Sequence, residues 1–247
     1  MINKIVSSGC SFTHPFIGNT WAEYLAKHLD VELISTASSS QGNNLIARRV
    51  IHAVEECRQS DELLVAVQWS AQNRFARFLS EPQIELWEIE NKHHTMIAQN
   101  TGNPIKIFKD DGSGSWLLSN YNWPDSVSEN HMQFSDPIDE LIRTYEDILR
   151  VENYLKRHKI NYFMFLGWDD CLSKQHLQNK NVKYLHDMVD HTKWVDSEYQ
   201  WCSDNTGLDF CEGLPPKSTT SQHPTPTQHK MYTEGAIIPH LKSRGLI

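Results

Sequence analysis

The chain has 247 residues, of which 39% are hydrophobic and 10% are aromatic. This is enough apolar mass for a packed core and excludes a chain that is disordered throughout. Its 23 Lys and Arg residues against 31 Asp and Glu residues give a formal net charge of −8, and an acidic chain without a basic cluster argues against nucleic-acid binding. No run approaches the roughly 18 consecutive apolar residues of a membrane helix. Neither nucleic acid nor a membrane is therefore an expected partner.

The N-terminal residues and the cysteines indicate the compartment. The opening sequence MINKIVSSGCSF lacks the apolar segment of a secretory signal, which predicts a cytoplasmic protein. The five cysteines are scattered without a CxxC pair, so a reducing compartment is expected, with no zinc ribbon or disulfide framework. The thirteen histidines lack the i, i+4 spacing of a helical zinc site. The sequence predicts no metal and no cofactor.

Short apolar runs alternate with helical patterns in the first part of the chain. Strands are predicted at residues 4–7, 31–35 and 63–68, and helices at residues 21–29 and 44–57. The third run, LLVAVQ, is continuously apolar, as is typical of a strand buried on both faces of a parallel sheet. This β-α-β-α-β order predicts an α/β protein with one domain over residues 1–247, folded as a three-layer α/β/α sandwich around a parallel sheet.

The alternation stops between about residues 75 and 135. Strand-like pieces (IELWEI and IKIF) and the glycine turn DDGSGS predict a β-rich insertion that lies beside the pocket. After it, Asp136 as N-cap and Pro137 at the first helical position predict the start of an amphipathic helix. Beyond that helix, a strand is predicted at residues 161–166, a short fifth strand at Trp194 and Val195, and a closing helix at residues 227–243.

Small polar residues follow the first three predicted strands, in the segments SSGCSFTH, STASSSQGNN and WSAQNR. Ligands of such sheets bind outside the C-terminal ends of the strands. These segments therefore predict a pocket of hydroxyls and backbone N–H groups. The loop before the last helix reads SQHPTPTQH, so a serine of the first segment and a histidine of this loop can meet as nucleophile and general base.

These segments resemble the sequence blocks of the SGNH (GDSL-type) hydrolases, a family of esterases, lipases and carbohydrate deacetylases with a flavodoxin-like α/β/α fold. The first block corresponds to Gly9-Cys10-Ser11-Phe12-Thr13, the second to Gly42, and the last to His223-Pro224-Thr225. The resemblance leaves out residues 75–135. It implies that Ser11 attacks an ester carbonyl, that His223 takes the proton, and that the N–H groups of Ser11 and Gly42 hold the oxyanion.

The sequence departs from the family pattern in its first and third blocks. Cys10 replaces the aspartate of the first block, and it is not expected to be the nucleophile because its side chain should point away from that of Ser11. The third block, Gly-X-Asn-Asp in the family, reads Gln-Trp-Ser-Ala here. The oxyanion-hole side chain is then Ser70 by position or Asn73 by chemistry. Asn43 and Asn44 are expected to cap a helix.

The acid of the family also has no direct counterpart. Thr220 occupies its position, three residues before the histidine. A Ser–His dyad, or a carboxylate from Asp209 or Glu212, are the alternatives. His223 is expected to keep a pKa near 6.5 and so to be a competent base at neutral pH. His229 is expected to lie on the surface of the last helix.

The resemblance thus implies a serine esterase that acts on a small-molecule or glycan ester. Trp116, Tyr121 and Trp123 can stack on sugar rings, which favours an O-acetyl group on a carbohydrate, although such aromatics are also typical of a core. The alternative is a catalytically silent SGNH-like module that binds a glycan or a protein partner. The opening GCSFT also resembles sequences of bacteriophages and marine bacteria, which suggests a virion-associated role.

Overall fold

A computed structural model describes most of the chain. The described residues are 2–15, 18–57, 62–80, 82–83, 107–109, 115–119, 133, 135–168, 174–206 and 223–247. The strands are β1 (Lys4–Ser8), β2 (Glu32–Ser35), β3 (Leu63–Trp69), β4 (Phe75–Leu79), β5 (Ile107–Lys109), β6 (Ser115–Ser119) and β7 (Asn161–Leu166). The α-helices are α1 (Trp21–Leu29), α2 (Asn43–Cys57), α3 (Pro137–Arg157), α4 (Lys180–Met188), α5 (Glu198–Thr206), α6 (Pro226–Tyr232) and α7 (Ile238–Ser243). One π-helical turn (Thr233–Ile237) joins α6 to α7, and short 3₁₀ turns lie at Lys174–Gln178 and His191–Lys193.

The main sheet has the strand order β2-β1-β3-β7, and all of its paired strands are parallel. Helices connect successive strands, so the C-terminal ends of β1, β2 and β3 meet at one edge, as the sequence predicted. The predicted fifth strand is reduced to a single parallel bridge between Met164 and Trp194. The N–H of Val195 donates to the carbonyl of Met164 at 2.9 Å, and within the described residues nothing else extends the sheet beyond β7.

Alternate residues of the central strands face opposite layers of helices. Val65 and Val67 pack with α2, α3 and α4, whereas Leu64 and Ala66 pack with α1, α6 and α7. Both faces of the sheet are therefore buried, which explains why β3 is apolar along nearly its whole length. The predicted three-layer α/β/α sandwich is confirmed.

The predicted insertion contains a second, antiparallel sheet with the strand order β4-β6-β5. It begins only six residues after the end of β3, and Phe75 pairs with Ser119 across the sheet. The predicted strand-like piece IELWEI lies outside the described residues. Asp136 caps α3 as predicted, because its side chain accepts the N–H of Ile138 at 2.7 Å.

The start of the last helical segment is fixed by its own sequence. Thr225 is the N-cap of α6 and Pro226 occupies its first turn. The Thr225 hydroxyl accepts the N–H of Gln228 at 3.2 Å, and the Gln228 side chain accepts the N–H of Thr225 at 2.9 Å. This reciprocal capping holds the chain two residues after His223.

Candidate active site

The loop after β1 is held by a buried amide from the neighbouring strand. The Oε1 atom of Gln68 accepts hydrogen bonds from the Cys10 N–H at 3.1 Å, the Cys10 thiol at 3.3 Å and the Thr13 hydroxyl at 3.1 Å. Its Nε2 atom donates to the carbonyl of Trp69 at 2.6 Å. Because Gln68 is fully buried, these bonds are not exchanged with water, and they fix the backbone on both sides of Ser11.

Two glycines make room for this amide. A Cβ atom at Gly9 would lie 2.8 Å from Oε1 of Gln68, and a Cβ atom at Gly167 would lie 2.5 Å from its Nε2. The Gln68 amide thus fits between Gly9 and Gly167 because neither residue has a Cβ atom. The thiol of Cys10 is turned to Gln68 but still lies 3.9 Å from the Ser11 hydroxyl, so the prediction that it points away from Ser11 is only partly right.

Ser11 and His223 meet at the C-terminal edge of the sheet. The Oγ atom of Ser11 lies 2.7 Å from Nε2 of His223, although 212 positions separate the two residues. Ser11 is only 5% exposed, and the ring of Phe12 contacts the imidazole of His223 edge-on, with 5.3 Å between ring centroids. In the tautomer that carries its proton on Nδ1, His223 accepts the serine proton at Nε2, which is the geometry a general base requires.

The pKa of His223 differs from the sequence prediction. The pKa of His223 is lowered from 6.5 to about 4, mainly because the ring is buried, and in smaller part by the nearby Arg74 and His229. The expectation of an unperturbed pKa is therefore wrong, because the imidazole of His223 is buried and lies near the positive charge of Arg74. His223 is consequently neutral, and able to accept a proton, across the whole neutral range.

Gly42 lies where the chain from β2 enters α2. Ser40, two residues earlier, adopts a left-handed backbone with φ 65°, a conformation that is uncommon for residues with a Cβ. A Cβ atom at Gly42 would lie 2.5 Å from Cα of Phe75 and 2.9 Å from the carbonyl oxygen of Arg74. Glycine thus allows the chain that leaves β3 to pack directly on this loop. Among the described residues, the N–H groups of Ser11 and Gly42 donate to no protein acceptor.

Ser70 follows β3 and is completely buried. Asn43 binds its backbone on both sides: the Ser70 N–H donates to Oδ1 at 2.8 Å, and Nδ2 donates to the Ser70 carbonyl at 3.1 Å. The Ser70 hydroxyl accepts from Nη1 of Arg74 at 3.2 Å. Asn73 is half-buried in the turn between Ala71 and Arg74. The structure therefore places Arg74, rather than Asn73, against the Ser70 side chain.

The two asparagines at the start of α2 do more than the capping role that the sequence predicted. Asn43 donates to the Thr144 hydroxyl of α3 at 3.2 Å as well as binding Ser70. Asn44 accepts the N–H of Ala76 at 3.0 Å and donates to its carbonyl at 2.6 Å. The sequence did not predict these further bonds because they join segments about 30 to 100 residues apart, which local capping patterns do not show.

His229 lies inside the protein, contrary to the surface position that the sequence predicted. Its side chain is 6% exposed, and its Nδ1 lies 2.5 Å from Oε1 of Glu198, which is fully buried on α5. Burial raises the pKa of Glu198, and the His229 charge opposes this rise. The helical periodicity of the last segment could not show this pairing, because α5 belongs to a stretch without a legible pattern.

Other predicted site residues lie outside the described part of the chain. These are the candidate acids Asp209 and Glu212, the residue Thr220, and the aromatic residues Tyr121 and Trp123; Trp116 belongs to β6, but its side chain is not described.

A small cavity lies beside Ser11 and His223. Its lining consists of Ser11, His14, Asn19, Thr20, His223 and His229. A larger cavity, of about 360 Å³, is lined by residues of α2, α3 and the turn before β4, among them Asn43, Arg74 and Asp147. The smaller cavity contains Ser11 and His223, which the sequence predicted as nucleophile and general base, and Arg74 lines the larger one. Across the described ranges, no three His, Cys, Asp or Glu side chains converge as metal ligands, and no helix is long and apolar enough to cross a bilayer.

The sequence profile of a family described as "Family of unknown function (DUF6071)" matches residues 14–247. The chain belongs to this family. The matched region includes Gly42 and His223 and begins three residues after Ser11. None of the curated proteins compared with the chain matches it.

Solved structures show which fold this DUF6071 member has. It is similar to a psychrotrophic esterase, EstA, from Pseudoalteromonas sp., with 7% identity, a TM-score of 0.51, and coverage of 99% of this chain and 100% of that one. It is also similar to TesA, with 8% identity, a TM-score of 0.51, and coverage of 98% and 99%. A protein assigned to the G-D-S-L lipolytic family from Desulfitobacterium hafniense DCB-2 has 12% identity, a TM-score of 0.49, and coverage of 94% and 96%. The likeness to EstA and TesA extends over nearly the whole of both chains and shows that this chain has an SGNH-like hydrolase fold.

Proposed function

We propose that this protein is a serine esterase in which Ser11 is the nucleophile and His223 is the general base. The observation that carries the proposal is the 2.7 Å contact between Ser11 Oγ and His223 Nε2. It lies where the parallel strands end, which is where ligands bind in sheets of this kind. The SGNH-like hydrolase fold supports ester hydrolysis as the class of reaction.

The catalytic cycle follows from these positions. Neutral His223 accepts the proton of Ser11 as Oγ attacks the ester carbonyl, and the backbone N–H groups of Ser11 and Gly42 donate to the oxyanion that forms. The protonated imidazole then gives its proton to the leaving alcohol. A water molecule, deprotonated by His223, hydrolyses the acyl-enzyme and restores the serine. The low pKa of His223 makes it a weak base, so we expect slow turnover without a loss of the correct protonation state.

The nature of the ester is a finer proposal. We extend the proposed substrate to an O-acetyl ester of a carbohydrate, and this extension rests on the sequence positions of Trp116, Tyr121 and Trp123. A cytoplasmic or virion-associated setting is likewise a prediction from sequence alone. The alternative of a silent binding module becomes the interpretation if the following experiment fails.

Hydrolysis of p-nitrophenyl acetate by purified wild type, Ser11→Ala and His223→Ala tests the proposal. Ser11→Ala should reduce the rate to that of buffer, and His223→Ala should lower kcat about 10²–10⁴-fold, as expected for loss of a general base. Ser243→Ala, an exposed serine on α7, is the matched control and should retain full activity. If Ser11→Ala hydrolysed the ester at the wild-type rate, the esterase proposal would be wrong. The silent binding module would then be the remaining interpretation.

A further inference from the structure

The turn after β3 contains a cation at the place where the family pattern has a side-chain amide. The third block has Ser70 at the oxyanion-hole position, and the hydroxyl of this residue accepts from Nη1 of Arg74 at 3.2 Å. Asn43 locks the backbone of Ser70 through two hydrogen bonds. The Ser70 side chain is short and buried. The longer side chain of Arg74, which donates to it, therefore reaches beyond this position.

Aromatic contacts connect the guanidinium of Arg74 to the loop of residues 9–13, which contains Ser11. It lies over the ring of Trp168, with Cζ 4.8 Å from the ring centroid. Trp168 in turn packs on Phe12 with 4.3 Å between ring centroids, and Phe12 directly follows Ser11. A guanidinium stacked on an aromatic face is held in one orientation at little entropic cost.

The backbone of Arg74 is fixed at the same site. Its carbonyl oxygen lies against Gly42, at 2.9 Å from where a Cβ would be. Arg74 therefore spans the second and third blocks, with its backbone on the Gly42 loop and its side chain between Ser70 and Trp168. The second block supplies the Gly42 N–H to the oxyanion in the proposed mechanism, and the third block is where the family pattern has its side-chain donor.

The charge of Arg74 has no anionic partner in the described part of the chain, where its side chain forms no ion pair with a carboxylate. The residue is half-buried, and an arginine carries five N–H donors, of which Ser70 engages one. Its charge also reaches the base, because it contributes to the lowered pKa of His223. A half-buried cation of this kind is stabilised when negative charge develops beside it.

We propose that Arg74 is the side-chain donor of the oxyanion hole, replacing the amide of the third block with a guanidinium. This inference rests on the proposed esterase function and adds a catalytic residue to it. Arg74 then binds the charged tetrahedral intermediate more strongly than the neutral ester. Its removal should reduce kcat rather than raise KM.

The test compares wild type with Arg74→Gln, Arg74→Lys and Arg77→Gln in p-nitrophenyl acetate hydrolysis. Arg77, an exposed residue of β4, is the matched control. Arg74→Gln should lower kcat about 10²–10³-fold with KM changed by less than about threefold, the usual loss for one oxyanion donor. Arg74→Lys keeps the charge but loses the planar fork, so we expect a smaller loss of about tenfold. Arg77→Gln should match wild type.

A second readout does not depend on turnover. Titration of the His223 ring protons by NMR should show a higher pKa in Arg74→Gln than in wild type, because a nearby positive charge has been removed. Arg77→Gln should leave this pKa unchanged. Retention of kcat within threefold in Arg74→Gln, a rise of KM alone, or an unchanged His223 pKa would overturn the assignment.

The two proposals fail in different ways. If wild type shows no hydrolysis that Ser11→Ala removes, the esterase proposal falls and the assignment of Arg74 falls with it. If wild type is active and Ser11→Ala is not, but Arg74→Gln is as active as wild type, only the role of Arg74 is refuted. If Arg74→Gln does not fold, Arg74→Lys becomes the test of the role of Arg74. Full activity in Arg74→Lys would contradict a need for the guanidinium.

Discussion

Gln68→Met tests whether the buried amide of Gln68 holds the loop of residues 9–13, which contains Ser11, in place. Methionine has a similar length and no branch at Cβ, but it cannot accept the hydrogen bonds of the Cys10 N–H and the Thr13 hydroxyl. A buried donor left without an acceptor costs about 1–3 kcal/mol. The Trp69 carbonyl keeps a partner, since it also accepts the N–H of Gly167 at 3.0 Å. Two orphaned donors therefore predict a loss of roughly 2–6 kcal/mol in the free energy of unfolding.

Urea unfolding followed by tryptophan fluorescence measures this loss. The matched control is Gln200→Met, because Gln200 is exposed on α5, and it should change the unfolding free energy by less than about 0.5 kcal/mol. Esterase activity of Gln68→Met should fall as well, because the same bonds fix the backbone around Ser11. A destabilisation below about 1 kcal/mol would show that the loop is held by other contacts and would refute the reasoning.

Three further predictions concern titratable groups near the site. Because the pKa of His223 is lowered to about 4, kcat/KM should be constant from pH 6 to pH 8 and fall only as pH approaches 4; a pH–rate profile with its midpoint near 6.5 would contradict this. The unfolded chain binds the His223 proton near pH 6.5, so stability should decline as pH drops from about 6.5 towards 4. Glu198→Ala should lower the unfolding free energy by about 1–3 kcal/mol, because it leaves the buried Nδ1 of His229 without its hydrogen-bond partner. Urea unfolding measures this loss as well, and Glu234→Ala, which removes a partner of the exposed Lys230, should have little effect in it.

Local patterns in the sequence were sufficient to predict the three layers of the fold. The continuous apolar run of β3 and the amphipathic periodicity of α2 and α3 follow from residue order, because each pattern has the period of one element. The cap at Asp136 and the proline after it are equally local. The meeting of Ser11 and His223 was implied by the resemblance of their segments to the SGNH blocks, and residue patterns alone indicated only that a serine and a histidine of these loops can meet.

Only the tertiary structure decided how the side chains of the site interact. Gln68 is the one amide in an apolar strand, a signal visible in the sequence, but its three acceptor bonds depend on β1 lying beside β3. The pairing of His229 with Glu198 joins two residues that are 31 positions apart, one on α6 and the other on α5. The low pKa of His223 depends on burial and on the approach of Arg74. Sequence patterns carry the period of each element, whereas desolvation and charge proximity arise only when distant elements pack against one another.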